Sequence, residues 1–271
     1  MLHEKIHLKD NYNLENDPWI EITIPYNNDE NLREKSKAIV VVPGGAYMIV
    51  SNTEADPVAV SYMKEGFITI VLHYSVMKSY PTPMLELACT MDYLRKNSDK
   101  YFIDKDKISI IGFSAGGHLV STYGYLYKRQ DFVEKLSLNP ENIKPNCLVL
   151  SYPVITMGEY AHPETKFYIT GENESLYDLL SAEKNIDSTY PPTFIWTTKE
   201  DTCVPYENSV LLVESLEQNN IKHDFFLYPY LNHGLSVVNP LRYPLEVLKD
   251  KKMQEVSKWF DKSLEFINSI L

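Results

Sequence analysis

Short apolar runs alternate along this chain with longer stretches in which apolar residues recur at helical spacing. Five short runs are mostly apolar and rich in β-branched residues, as strands buried on both faces of a sheet are; they lie at 37–43, 67–72, 108–111, 147–150 and 193–197. Helical spacing occurs near 54–65, 84–98, 116–129, 206–219 and 245–268. This alternation predicts an α/β fold, with a mostly parallel, twisted sheet and helices on both of its faces.

Two more strands are predicted outside this core. Residues 20–24 alternate strictly between apolar and polar side chains and precede the core, so we expect an antiparallel strand at one edge of the sheet. Residues 224–228 form the last strand. The length of 271 residues would allow two small domains, but no repeat, low-complexity tract or Gly/Ser linker divides the chain. We therefore expect a single domain over 1–271.

The least regular segment lies between two core strands, at 153–192, and contains two glycines and several prolines. In a doubly wound sheet, loops that leave the carboxyl ends of strands form the ligand crevice. We therefore expect 153–192 to be a small lid over the pocket or a wall of it.

The predicted strand 108–111 runs into Gly112-Phe113-Ser114-Ala115-Gly116 and then into a helix. Gly-x-Ser-x-Gly also occurs in ordinary turns, but between a strand and a helix it is typical of a nucleophile elbow. Glycine is needed there because a Cβ would collide with the adjoining elements, and the turn lifts the Ser114 hydroxyl above the sheet edge. Ser114 is the predicted nucleophile, and the N–H of Ala115 is a predicted donor to an oxyanion.

A nucleophilic serine needs a base, and the base needs a carboxylate that orients it, in the chain order serine, acid, histidine for this arrangement. Asp201 follows a predicted strand, and Pro205 stiffens the turn behind it; Glu200 is the alternative acid. His233 follows the last strand and is the predicted base. The other six histidines have structural explanations, with His118 on the elbow helix as the strongest alternative; they are His3, His7, His73, His118, His162 and His223.

A second oxyanion donor is expected from residues 43–47, Pro43-Gly44-Gly45-Ala46-Tyr47, which we call the glycine loop. It follows the strand 37–43 directly, and its glycines allow backbone N–H groups to approach a substrate closely. By itself this would be an ordinary turn after a strand. Together with the elbow, the acid and the histidine, it predicts an oxyanion hole formed by the N–H of Ala115 with that of Gly45 or Ala46.

Composition and charge limit the partners of the chain. Apolar residues make up 44% and charged residues 23%, which is ordinary globular usage and excludes a disordered chain. Lys and Arg number 26 against 37 Asp and Glu, for a formal net charge of -11. That balance repels phosphate backbones and anionic membranes, so we expect neither nucleic acid nor membrane as a partner.

The cysteines and the amino-terminal residues favour a cytoplasmic protein. Cys89, Cys147 and Cys203 are far apart and form no CxxC pair, so we interpret them as reduced thiols. The first 17 residues are polar, without the apolar core of an export signal, and no apolar run approaches the roughly 20 residues that span a bilayer. No His/Cys cluster has metal-ligand spacing, so we expect no metal and no organic cofactor.

These motifs resemble those of the α/β-hydrolase acetyl esterases, a family that includes acetylxylan esterase-like and sugar-ester hydrolases. The resemblance covers most of the chain and rests on residues 43–47, 112–119, 151–155, 191–196, 201–205 and 233–235. It implies the α/β-hydrolase fold, with Ser114, Asp201 and His233 as catalytic residues and oxyanion donors from the loops holding Gly45 and Ala115. The implied substrate is a small-molecule ester, hydrolysed through an acyl-serine intermediate.

Two departures from the family pattern favour a short acyl group, such as acetyl on a sugar or oligosaccharide. The glycine loop has Ala46 where relatives often have a third glycine, and its methyl group is expected to narrow the acyl side of the pocket. The segment 153–192 is too short for the large caps of lipases. A peptidase, amidase or formamidase on the same fold and a non-catalytic binding protein are the alternatives, and a homo-oligomer is left open.

Overall fold

One sheet organises the part of the chain that the computed structural model describes, residues 2–25 and 34–271. Its eight strands follow the order β1-β2-β4-β3-β5-β6-β7-β8 across the sheet. Their bounds are β1 Leu2–His7, β2 Trp19–Ile24, β3 Ser36–Val42, β4 Ile68–His73, β5 Ile103–Phe113, β6 Cys147–Ser151, β7 Thr193–Thr198 and β8 His223–Tyr228. The strands β3 to β8 are parallel, so their carboxyl ends meet at one edge of the sheet.

The predicted edge position of 20–24 is wrong. This strand, β2, is antiparallel to β4 as expected, but β1 pairs with its other side in an antiparallel register from Leu2↔Ile24 to His7↔Trp19. None of the six β1 side chains is fully buried. Of its side chains Ile6 packs against the core, and the two apolar residues Leu2 and Ile6 among four polar ones are too weak a pattern to predict a strand.

Helices cover both faces of this sheet, which confirms the predicted α/β architecture. Their bounds are α1 Asp56–Lys64, α2 Thr82–Lys96, α3 Ala115–Leu126, α4 Gln130–Val133, α5 Pro140–Ile143, α6 Pro163–Thr170, α7 Glu207–Gln218, α8 Lys251–Ser257 and α9 Trp259–Ile270. The helix predicted over 245–268 is instead the pair α8 and α9. It begins only at Lys251, because Asp250 accepts the N–H of Lys252 and caps the first turn. Within the described ranges, no helix combines the length and apolarity needed to cross a bilayer.

Two hydrophobic cores lie on opposite faces of the sheet. On β3, Ile39 and Val41 pack with residues of α1, α8 and α9. Val40 and Val42, which point the other way, pack with residues of α2, α3 and α7. Because both faces are covered, successive residues of a central strand are all buried, which accounts for the continuous apolar runs in the sequence.

The segment 153–192 leaves the carboxyl end of β6 and returns to β7, and it contains α6. Asn208 on α7 holds its first part, since the Asn208 side chain accepts the N–H of Ile155 at 2.8 Å and donates to the carbonyl of Tyr160 at 2.8 Å. Tyr190 holds its last part through a bond from its hydroxyl to the carbonyl of Ser121, at 2.8 Å. The segment is thus bonded to α7 in its first part and to α3 in its last part.

Candidate active site

Ser114 occupies the sharp turn between β5 and α3, with φ 52° and ψ -119°. A residue with a side chain rarely adopts this backbone conformation. Close contacts around the turn explain why glycines stand two residues before and two residues after Ser114. A Cβ on Gly112 would lie 2.4 Å from the carbonyl oxygen of Gly116, and a Cβ on Gly116 would lie 2.2 Å from that of Val42. The backbone of Ser114 is held by a bond from its N–H to the carbonyl of Ser151, at 3.0 Å.

The structure brings Ser114, His233 and Asp201 together from three separate strand ends. Nε2 of His233 lies 2.8 Å from Oγ of Ser114, and Nδ1 lies 2.6 Å from Oδ2 of Asp201. Because the carboxylate can only accept, Nδ1 carries the proton and Nε2 is free to accept the serine proton. Oδ1 of Asp201 accepts the N–H groups of Cys203 and Val204, both at 2.9 Å, so the turn itself orients the carboxylate.

Both alternatives from the sequence have other partners. Glu200 accepts the N–H of Leu231 at 3.0 Å. His118 is fully buried, with Nδ1 2.8 Å from the Tyr47 hydroxyl and Nε2 2.8 Å from the carbonyl oxygen of Leu180. Burial lowers the pKa of His118 to about 4, so it remains a neutral part of the core.

Two carbonyl groups of the glycine loop accept hydrogen bonds from backbone N–H groups of the residues that follow the loop. The carbonyl of Gly44 accepts the N–H of Ser51, and the carbonyl of Gly45 accepts that of Met48 at 2.8 Å. Gly45 has φ 120°, and a Cβ there would lie 2.3 Å from a backbone oxygen, so only glycine fits. The N–H groups of Gly45 and Ala46 have no hydrogen-bond acceptor among the described residues. The N–H of Ala115, the first residue of α3, has no acceptor inside its helix.

A cavity of about 360 Å³ opens over Ser114. The glycine loop and the following residues 48–54 form one part of its lining, and His162, Cys203 and His233 form another. Its volume lies at the low end for small-molecule sites, which run from roughly 300 to 1,000 Å³. In the parts of the chain that the structure describes, no three His, Cys, Asp or Glu side chains are grouped as a metal site.

Sequence reasoning assigned no role to two residues at this site: Glu54, which is part of the cavity lining, and Tyr152, which donates a hydrogen bond to it. Glu54 is 4% exposed and accepts the N–H of Gly44 at 2.9 Å and the hydroxyl of Tyr152 at 2.7 Å. Burial raises the pKa of Glu54, while the two bonds and the nearby His233 lower it. A glutamate just before a helix looks like an ordinary charge of its first turn.

From the sequence we expected only a structural role for His162, but this residue also lines the cavity. Its Nδ1 accepts the N–H of Thr165 and caps α6. Burial lowers the pKa of His162, so the ring is neutral and its proton lies on Nε2, which is 3.4 Å from Sγ of Cys203. His162 therefore places a hydrogen-bond donor of the segment 153–192 at the cavity wall, where Oε2 of Glu164 also lies 3.4 Å from Nε2.

Comparison with known proteins agrees with this architecture. The model of the BD-FAE family matches residues 21–216, which include Ser114 and Asp201. The chain belongs to the BD-FAE family. A crystal structure of an acetyl ester-xyloside bifunctional hydrolase from Caldicellulosiruptor lactoaceticus resembles this family member over 97% of both chains, with a TM-score of 0.78 and 30% sequence identity.

Two curated relatives of this BD-FAE family member are longer proteins. Endo-1,4-beta-xylanase B of Butyrivibrio fibrisolvens is 34% identical over 216 residues, which are 76% of this chain and 33% of the relative. The acetylxylan esterase of Xylanibacter ruminicola is 26% identical over 232 residues, 82% of this chain and 45% of the relative. The chain thus spans less than half of either relative. These matches confirm the resemblance to the acetyl and acetylxylan esterases, and the fold is that of the α/β-hydrolases.

Proposed function

We propose that this BD-FAE family member is a serine carboxylic-ester hydrolase that acts on acetyl and other short acyl esters of sugars or oligosaccharides. The observation that carries the proposal is the continuous chain from Asp201 through His233 to Ser114, with bonds of 2.6 and 2.8 Å. This chain reaches a cavity bordered by the N–H groups of Gly45 and Ala46, for which the described residues provide no acceptor. A nucleophile, a base, an orienting acid and oxyanion donors are the components that acyl transfer requires.

In the first half of the reaction, Oγ of Ser114 attacks the ester carbonyl while Nε2 of His233 takes its proton. The carbonyl oxygen becomes an oxyanion that the N–H groups of Ala115 and of Gly45 or Ala46 stabilise. The intermediate collapses when the imidazolium of His233 protonates the departing alcohol, which leaves an acyl-serine. Water then repeats the sequence and releases the carboxylic acid.

The cavity lining supports a short acyl group and a hydroxylated alcohol. Met48 and Ile49 contribute apolar side chains, and the methyl group of Ala46 takes up space that a glycine would leave open. His162 contributes a donor that suits a sugar hydroxyl. In this proposal 1–271 forms a single domain, and 153–192 acts as a wall of the pocket through His162.

The names of the relatives support the same substrate class. One is an acetylxylan esterase, and the similar solved structure is an acetyl ester-xyloside bifunctional hydrolase. Both names mention an acetyl group together with a xylose-containing compound. We extend that chemistry to this chain as part of the proposal.

The test is a substrate series with purified protein. We expect kcat/KM to fall at least tenfold from 4-nitrophenyl acetate to the octanoate, and acetylated xylose or xylobiose to be hydrolysed. Ser114→Ala should lose at least about 10³-fold in kcat. A preference for amides, N-formyl anilides or octanoyl esters would overturn the acetyl-ester proposal in favour of an amidase, formamidase or lipase.

A fluorophosphonate probe separates an enzyme from a binding protein on this fold. We expect stoichiometric labelling of Ser114 in the parent and none in His233→Ala, since the serine is then without its base. A parent protein that is not labelled and hydrolyses no ester would favour the non-catalytic alternative.

A further inference from the structure

We propose that Glu54 is a positioning residue of this site. Its carboxylate holds the glycine loop in the conformation that presents N–H groups to the oxyanion, and it connects that loop with the segment that carries His233. The inference rests on the proposed ester hydrolysis. In this proposal Glu54, although it is part of the cavity lining, affects the acyl-transfer step through the glycine loop that it holds and not through a bond to the reacting atoms.

The first observation is the bonding of the carboxylate. Oε2 of Glu54 accepts the N–H of Gly44 at 2.9 Å, and Oε1 accepts the hydroxyl of Tyr152 at 2.7 Å. Each oxygen thus accepts a hydrogen bond from a different donor, so the side chain is held at two points. With 4% of the residue exposed, water contributes little to its solvation, so these two donors largely replace water.

The second observation is the direction of the loop peptides. In a trans peptide the C=O and N–H point in opposite directions. The Gly44 carbonyl binds the N–H of Ser51, so the N–H of Gly45 points away from Ser51. The Gly45 carbonyl binds the N–H groups of Met48 and Ile49, so the N–H of Ala46 points away from that turn.

Glu54 holds the peptide that begins this turn. The bond from Gly44 N–H orients the peptide before Gly44, at the point where the loop leaves β3. A Cβ on Gly44 would lie 2.8 Å from Oε2 of Glu54 and 2.9 Å from Cβ of Ser114, so the three residues are in close contact. Loss of the bond would free the loop beside the nucleophile and misplace the oxyanion donors.

The third observation is a connection to the loop after β8. The Tyr152 hydroxyl that donates to Glu54 accepts the N–H of Ser236 at 2.9 Å. The Ser236 hydroxyl donates to the carbonyl of Thr53, next to Glu54, at 2.7 Å. The ring of Tyr152 lies edge-on to that of His233, with 4.8 Å between centroids. One set of bonds thus joins the oxyanion donors to the segment that holds the base.

A purely structural role would have a different signature. A buried carboxylate contributes little net stability, because its desolvation offsets the bonds that it makes. If Glu54 only stabilised the fold, its replacement would lower the amount of folded protein and leave the turnover of each folded site unchanged. If it positions the oxyanion donors, kcat falls and KM changes little, since the oxyanion forms only in the transition state.

The decisive variant is Glu54→Gln. Glutamine has nearly the same volume as glutamate, but its amide nitrogen cannot accept a hydrogen bond and therefore faces one of the two donors without bonding to it. We expect kcat for 4-nitrophenyl acetate to fall about 30- to 100-fold, with KM within threefold of the parent. The rate of fluorophosphonate labelling of Ser114 should fall similarly. Asp92→Asn is the matched control, because Asp92 on α2 is also buried and also accepts a tyrosine hydroxyl, that of Tyr12 at 2.7 Å.

Folded Glu54→Gln with kcat and labelling rate within threefold of the parent would overturn the inference. If Glu54→Gln does not fold, Tyr152→Phe provides the answer, since it removes one donor and leaves the carboxylate in place. We expect its kcat to fall roughly 3- to 10-fold at unchanged KM, and an unchanged kcat would overturn the inference. A parent protein that is not labelled refutes the proposed hydrolase itself, whereas equal labelling of parent and variant refutes only the role of Glu54.

Discussion

Asp201 and His233 are joined by a bond of 2.6 Å between Oδ2 and Nδ1. The other oxygen of the carboxylate accepts two N–H groups of its own turn, from Cys203 and Val204. The acid therefore keeps its orientation without help from the histidine. Because one oxygen holds the turn and the other contacts His233, a single substitution can remove the contact to His233 and keep the turn.

Asp201→Asn should keep the turn and lose the catalysis. The amide oxygen can still accept the N–H groups of Cys203 and Val204, but the amide nitrogen faces Nδ1 of His233 and favours the wrong tautomer. We expect kcat/KM for 4-nitrophenyl acetate to fall about 10³- to 10⁴-fold. The control is Glu200→Gln, whose side chain binds the backbone N–H of Leu231; it should retain activity within threefold. A large loss of activity in Glu200→Gln together with a small one in Asp201→Asn would assign the orienting role to Glu200.

The backbone of Ser114 predicts a difference between two inactive variants. Its φ of 52° is unfavourable for any residue with a Cβ, at a cost of about 1–3 kcal/mol. Glycine removes that strain but adds about 0.4–1 kcal/mol of unfolded-state entropy. Ser114→Gly should therefore be more stable than Ser114→Ala by about 1 kcal/mol in urea unfolding. Equal midpoints and slopes would show that the elbow stores no such strain.

Glu86 on α2 should make stability depend on pH. It is 1% exposed and accepts the N–H of Ser75 at 2.7 Å, and burial raises its pKa from 4.5 to about 7 although the bonds to Ser75 lower it. Between these pH values the unfolded chain releases the proton while the folded chain keeps it. The contribution of Glu86 to the free energy of unfolding therefore falls as pH rises from 4.5 to 7, by about 3 kcal/mol, and levels off above pH 7.

The measurement is urea unfolding of the parent and of Glu86→Gln from pH 4.5 to 8. The amide does not ionise, so the variant lacks this contribution and all other titrations cancel in the difference. We expect the parent to lose stability relative to the variant across this range. Parallel curves would mean that Glu86 ionises alike in the folded and unfolded chains.

His162→Asn should affect the alcohol part of the substrate selectively. Asparagine can still cap α6, but it lacks the imidazole that presents Nε2–H to the cavity. Loss of one such hydrogen bond should lower kcat/KM for acetylated xylobiose about 3- to 10-fold, and that for 4-nitrophenyl acetate less than twofold. His162→Ala should show the same selectivity together with a loss of stability of about 1 kcal/mol. An equal effect on both esters would place His162 outside alcohol recognition.

For the glycine loop, the sequence predicted the backbone conformation but not the residues that hold it. Glycines directly after a strand indicated a backbone that approaches something closely, and the structure gives Gly45 a conformation that only glycine accepts. The glutamate that holds the loop lies ten residues further on, and its partner Tyr152 lies about a hundred residues away. The hydrogen bond between Glu54 and Tyr152 depends on how β6 pairs with β5, which no local sequence pattern encodes.

The sequence by itself determined the α/β class, the order of the core strands along the chain and the elbow at Ser114. These follow from periodicity and from the backbone limits of glycine, which act over a few neighbouring residues. Only the tertiary structure decided that β1 occupies the sheet edge, that Asp201 rather than Glu200 meets His233, and that His162 reaches the cavity. Each of these is a contact between distant segments, set by strand order and side-chain packing, so it exists only once the chain has folded.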